Sequence, residues 1–117
     1  MKIIKESRIK RASKTRAIMK RLKVDRLVVY RSNKHLYAQI FNNESKVLTS
    51  ASTKEAEVSK DIKKGSNIDA AIYVGKRIAE KATKLGIKKV AFDRSGYKYH
   101  GRVKAVAESA RKSGLNF

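Results

Sequence analysis

The chain has 117 residues, 30 of them lysine or arginine against 10 acids, giving a formal net charge of +20. That length suits one domain with a modest core, and the absence of cysteine excludes disulfides, thiolate metal sites and cysteine nucleophiles. No apolar run approaches a bilayer span and none of signal-peptide length follows the charged start, so an intracellular, soluble protein is expected.

Residues 1–24 form a basic arm, with ten lysines and arginines against a single acid, Glu6. Charge of one sign at this density repels itself and disfavours compaction unless a polyanion neutralises it. Nucleic acid suits best, because each neutralised phosphate releases condensed counterions. Ile18, Met19 and Leu22 fall at helical spacing, so a short amphipathic helix is predicted there. The apolar stripe is too thin to fold alone, and the arm is expected to be disordered or partly helical when unbound. The core is read from Leu27 onward.

Strand signals begin at Arg26. Leu27-Val28-Val29-Tyr30 is a compact β-branched and aromatic run, and the polar turn Arg31 to His35 leads into a second strand, Leu36–Phe41. Asn42-Asn43-Glu44-Ser45 is another turn signal, and Lys46–Ser50 reads as a third strand. The short turns predict an antiparallel meander. Residues 51–66 read as a loop, with a helical turn around Lys54 to Val58.

Ile68, Ala71, Ile72, Gly75, Ile78, Ala79, Ala82 and Leu85 recur at three- and four-residue spacing, one face of a helix. Ser66 with Asp69 signs its start as a variant capping box, and Lys81, Lys84 and Gly86 sign its end. Lys88–Asp93 reads as a fourth strand. After the loop 94–101, a second helix carries Val103, Val106, Ala107 and Ala110 on one face. Gly114 closes it, letting Leu115 and Phe117 fold back onto that face. The expected class is α/β: a single domain in β-β-β-α-β-α order, a mixed four-stranded sheet with helices packed on it, residues 25–117, plus the basic arm 1–24. Strand four should run parallel to strand three.

This order resembles the ribonuclease H-like arrangement, which raises metal-dependent nuclease chemistry. That chemistry needs several converging carboxylates. Leu27 to Tyr30 supplies none, and Asp93 stands alone at the end of strand four beside Arg94. His35 and His100 form an almost unconstrained acid and base pair, and no nucleophile-elbow glycine pattern frames a Ser95, His100, Asp93 triad. Neither an enzyme, a metal site nor a cofactor is expected. The denser constellation is Phe92 to Val103, which packs Tyr97, Tyr99, His100, Arg94, Arg102 and Lys98 with two glycines. Such planes stack on unpaired bases while cations meet phosphate. Either tyrosine taken singly reads equally well as a cover for the core. Arg31 to Tyr37 has a similar mix of groups, and there an ordinary hairpin turn is the stronger reading.

Tyr30 to Gln39 and Ala91 to Ala105 closely resemble the bacterial ribosomal large-subunit protein eighteen family (universal L18), which binds 5S rRNA. The basic arm, the Gly-Leu-Asn-Phe terminus and the length match as well. The family often has a proline just before strand one, where this chain reads Val24-Asp25-Arg26-Leu27. The resemblance implies a non-catalytic component of the large ribosomal subunit in the cytoplasm. It would bind 5S rRNA and help attach it to 23S rRNA in the central protuberance, beside other 5S-associated large-subunit proteins, with no membrane and no small-molecule substrate. Carried over, the RNA-binding candidates are Arg8, Lys10, Arg11, Lys14, Arg16, Lys20 and Arg21 in the arm. In the loops they are Arg31, Ser32, Asn33, Lys34, His35, Arg94, Ser95, Tyr97, Lys98, Tyr99, His100 and Arg102. A nucleoid-type DNA-binding protein would share the charge, but neither a helix-turn-helix nor a proline wedge is present. A small RNA-cleaving enzyme is the remaining alternative.

Overall fold

A computed structural model describes residues 2–22, 24–32, 35–54 and 68–117, with side chains in the first stretch described for residues 7–21. The elements run α1 (Lys2–Leu22), β1 (Arg26–Arg31), β2 (Leu36–Phe41), β3 (Val47–Ser52), α2 (Ile68–Lys84), β4 (Ala91–Asp93) and α3 (Gly101–Lys112). The β-β-β-α-β-α order of the domain is as the sequence reading expected, and the architecture is α/β.

The sheet order is β3-β2-β1-β4, with β1, β2 and β3 antiparallel in turn and β4 parallel to β1. Two antiparallel steps make β3 and β1 point the same way, so β4 does run parallel to β3. It is hydrogen-bonded to β1, however, at the opposite edge of the sheet.

Alternation along the strands assigns two faces. Leu27, Val29, Leu36, Ala38, Ile40 and Ala51 are buried against Ala71, Val74, Ile78, Ala79, Val106 and Ala110 of α2 and α3. The alternate residues Arg26, Val28, Tyr30, Tyr37, Gln39, Phe41 and Asp93 therefore look to the other face, as their register pairs agree. The small side chains of α2 let α3 come very close. A Cβ on Gly75 would fall against the Val106 carbonyl oxygen and 2.8 Å from Ser109 Cβ. Ser109 Oγ, in turn, donates to the Ile72 carbonyl.

Three boundaries differ from expectation. β3 extends to Ser52 because Ala51 pairs with Ala38 and buries under α2. β4 is short because residues 88–90 pair with the C-terminus instead: Val90 N donates to the Asn116 carbonyl and Asn116 N to that of Lys88. Leu115 folds back into the core beside Phe117, past Gly114 at positive φ. The predicted short helix at Ile18 to Leu22 is the end of the much longer α1, and the core is not confined to residues from Leu27 onward. Ala12 and Met19 of α1 are buried. The expected helical turn near Lys54 to Val58 and the Ser66 cap lie largely or wholly outside the described residues, as do the candidates Asn33 and Lys34.

Candidate nucleic-acid interface

Because β4 runs parallel to its neighbour β1, the chain leaves both strands, at Ser32 and at Arg94, at one end of the sheet, beside the start of α3. The two polar-aromatic segments found in the sequence are thereby brought together. Arg102 donates to the Ser32 carbonyl at 3.3 Å, and the Tyr97 hydroxyl reaches the Arg31 carbonyl at 3.5 Å.

Asp93 anchors the site. Its carboxylate is 1% exposed, and a buried charge must be paired. Arg16 Nε donates to Oδ2 at 2.7 Å, Arg26 to the same oxygen at 3.1 Å, and the Ser95 backbone N–H to Oδ1 at 2.8 Å. Arg16 also donates to the Ser95 hydroxyl at 3.1 Å. Burial acts against the Arg16 charge, but the hydrogen bond to Asp93 and the carboxylate's charge, with Tyr30 adding to them, outweigh it, so the guanidinium pKa is raised. Asp93 thus ties α1 to the sheet; Arg94, its neighbour in sequence, is exposed. Among the described residues no group of three His, Asp or Glu side chains could hold a metal.

Two more arginines of α1 fasten the helix to the loop after β4. Arg8 donates to the Ser95 carbonyl at 2.8 Å, and Arg11 donates to the Gly96 carbonyl at 3.2 and 3.0 Å. Gly96, at φ +76°, permits this approach, since a Cβ there would run into the Arg8 backbone carbonyl and lie 2.9 Å from Arg8 Cγ. The guanidinium groups of Arg8 and Arg31 sit over the Tyr97 ring, 4.6 and 4.8 Å from its centroid.

The helix therefore divides its cations by face. Arg8, Ala12, Arg16 and Met19 recur at helical spacing on the docked side. Lys10, Lys14 and Arg21, at i, i+4 and i+11, share the outer side. Lys10, Lys14, Lys20 and Arg21 are all exposed, and none forms an ion pair with a described residue.

The remaining candidates fall into two groups. Arg94, Lys98 and His100 are exposed, with His100 at the N-cap position of α3 and making no side-chain cap. Tyr99 is 37% exposed, set edge-on to Phe92 at 6.0 Å, and its hydroxyl accepts from Arg111 at 3.0 Å. Ser95 is fully buried. His35 Nδ1 lies 2.8 Å from the hydroxyl of buried Thr53, and Ser32 Oγ accepts from the His35 backbone N–H at 3.1 Å, so both also brace the turn. Sequence reasoning missed the docking role of Arg8, Arg11, Arg16 and Arg26. The only trace of it is that arginines flank Ala12 on one helical face, whereas lysines dominate the other.

A family model for ribosomal L18 of archaea, bacteria, mitochondria and chloroplasts matches residues 2–117. The chain belongs to the ribosomal L18 family. Curated relatives named large ribosomal subunit protein uL18 agree along almost their whole length. The protein of Neisseria meningitidis serogroup C is 61% identical over 112 residues, 95% of this chain and 96% of that one. Those of Nitrosospira multiformis and Herminiimonas arsenicoxydans are 58% identical over 113 residues and 57% over 117. The coverage is 96% of each chain in the first pair, and 97% of this chain and 98% of the other in the second. In this L18-family chain the match takes in both α1 and the 94–102 loop.

Proposed function

We propose that this protein is a non-catalytic, RNA-binding constituent of the large ribosomal subunit in the cytoplasm. It binds 5S rRNA and helps attach it to 23S rRNA in the central protuberance, where other 5S-associated proteins adjoin it. Residues 1–24 act as its RNA arm and residues 25–117 as its globular domain.

One observation carries this reading. α1 presents a row of cations, Lys10, Lys14 and Arg21, that pair with no acid among the described residues, on the side opposite its docked arginines, and Lys20 stands beside them. A solvated helix face needs no such one-signed row, whereas an RNA backbone does. The row supplies affinity without sequence information. Discrimination falls to Tyr99 in the loop cluster at the sheet end, which can stack on an unpaired base, while the exposed Arg94, Lys98 and His100 beside it meet phosphate. Tyr97 is already engaged by two guanidinium groups, so its contribution is to hold Arg8 and Arg31 in place.

The test compares binding of the full chain to 5S rRNA and to duplex DNA of equal length at physiological salt, followed by a check of RNA integrity. Preferential binding of intact 5S rRNA is expected. Equal binding to the DNA would favour a nucleoid-type protein, and turnover of the RNA beyond stoichiometry would favour a nuclease.

A further inference from the structure

The flank of α1 that adjoins its outer cationic face borders a cleft of ≈ 380 Å³, whose other wall is the β2–β3 turn. Arg16, Ala17 and Lys20 line it from the helix, Arg26 from the start of β1, and Asn42 and Asn43 from the turn. We propose that this cleft holds a phosphodiester group of the bound RNA backbone, a contact distinct from the loop cluster at the far end of the sheet; the proposal rests on the RNA-binding reading above.

Charge is the first support. Three cations, Arg16, Lys20 and Arg26, meet one carboxylate, Asp93, which sits on the buried side and is held by the two arginines. Lys20 is left uncompensated among the described residues, so the cleft is net positive. Donor supply is the second. Asn42 Oδ1 accepts the backbone N–H groups of Glu44 and Lys46, both at 2.9 Å. With its oxygen committed inside the turn, Asn42 offers only its NH₂ group outward. Cationic donors on one wall and amide donors on the other suit a phosphate, which accepts from several directions at once. Position is the third. Ser13, Ala17 and Lys20, at i, i+4 and i+7, share the flank next to Lys10, Lys14 and Arg21. A backbone that follows that row passes the mouth of the cleft.

Ala17 is exposed and sits on the cleft wall, so its substitution changes the cleft without removing any docking contact. Glutamate and glutamine are both good helix formers, and they differ there only in charge. For the full chain and 5S rRNA, Ala17→Glu is expected to weaken binding at least about tenfold and to lower the slope of log K against log salt by about 0.7–0.9, the contribution of one phosphate. Ala17→Gln should stay close to wild type in both. Asn43→Asp, on the exposed turn opposite, should reproduce the Ala17→Glu result and gives a second route should that variant melt early. Ile72→Glu makes the same change in net charge on α2, across the sheet, where Ile72 is 48% exposed; it should leave the slope unaltered.

If Ala17→Glu and Asn43→Asp match Ile72→Glu in affinity and slope while wild type binds 5S rRNA, the cleft holds no phosphodiester and the RNA reading stands without it. If wild type itself does not bind 5S rRNA, the functional reading fails first. Inorganic phosphate, titrated into the free protein by NMR, separates the remaining source. Shifts at the Lys20 and Asn43 amides that vanish in Ala17→Glu, with RNA affinity unchanged, would make this a free-phosphate site and overturn the proposal.

Discussion

Asp93→Asn isolates the interaction that ties α1 to the sheet. The substitution preserves shape, and the side-chain oxygen can still accept from the Ser95 N–H at 2.8 Å. The second oxygen, which receives Arg16 at 2.7 Å and Arg26 at 3.1 Å, becomes an NH₂ group that aims donors at donors. Two guanidinium charges also lose the counterion they share. Removing one partner of a buried ion pair typically costs about 3–5 kcal/mol. The Arg16 side chain is 35% exposed and water can replace part of what it loses, so the low end, about 3 kcal/mol, applies here. At roughly 3–6 °C per kcal/mol for a domain of this size, the melting temperature should fall by about 10–15 °C. Thermal unfolding followed by circular dichroism measures this. Arg16→Met is the companion variant: alone it should cost less, because Arg26 still compensates Asp93, and combined with Asp93→Asn it should cost clearly less than the sum. A melting temperature within about 2 °C of wild type for Asp93→Asn, or strict additivity in the double variant, would refute the anchoring role of the carboxylate.

Other perturbations test the remaining contacts. Gly96→Ala drives a Cβ into the Arg8 backbone and requires a strained positive φ; amide exchange of residues 8–19 should speed up while that of β1 and β2 stays protected. Gly75→Ala should destabilise by about 1–3 kcal/mol through collision with α3, against the roughly 1 kcal/mol that helix propensity alone predicts in the opposite direction. Lys10, Lys14 and Arg21 changed together to glutamine should leave the melting temperature within a few degrees of wild type. The same triple change should lower the salt slope for 5S rRNA by about 2–3, because each lost phosphate contact removes roughly 0.7–0.9.

Most of the sheet and both helices of the domain were legible because their signals are local. Leu36, Ala38 and Ile40 alternate along a strand, Ala71, Gly75, Ile78 and Ala82 repeat along the buried face of a helix whose Ile68 and Ile72 stay exposed, and Gly114 marks the fold-back that buries Leu115. What was not legible is set by partners distant in sequence. α1 has too few apolar residues to announce a docked helix, since polar bonds to Asp93, Ser95 and Gly96, 77 to 87 residues away, do most of the holding. The same distance hid the fate of Tyr97: the loop composition points to stacking, and the structure supplies arginines from α1 and β1 as partners. Residues 88–90 carry ordinary strand signals, yet they pair with Asn116, a choice that only the packed C-terminus determines.

In the proposed complex, one face of α1 and the loop cluster at the sheet end hold a defined part of folded 5S rRNA. A hydroxyl-radical footprint of 5S rRNA with the full chain, at physiological salt, tests it most directly. A discrete protected region is expected, part of which loses protection when Lys10, Lys14 and Arg21 are changed and a separate part when Arg94, Lys98 and Tyr99 are changed. Uniform weak protection along the RNA, insensitive to which of these groups is altered, would contradict it.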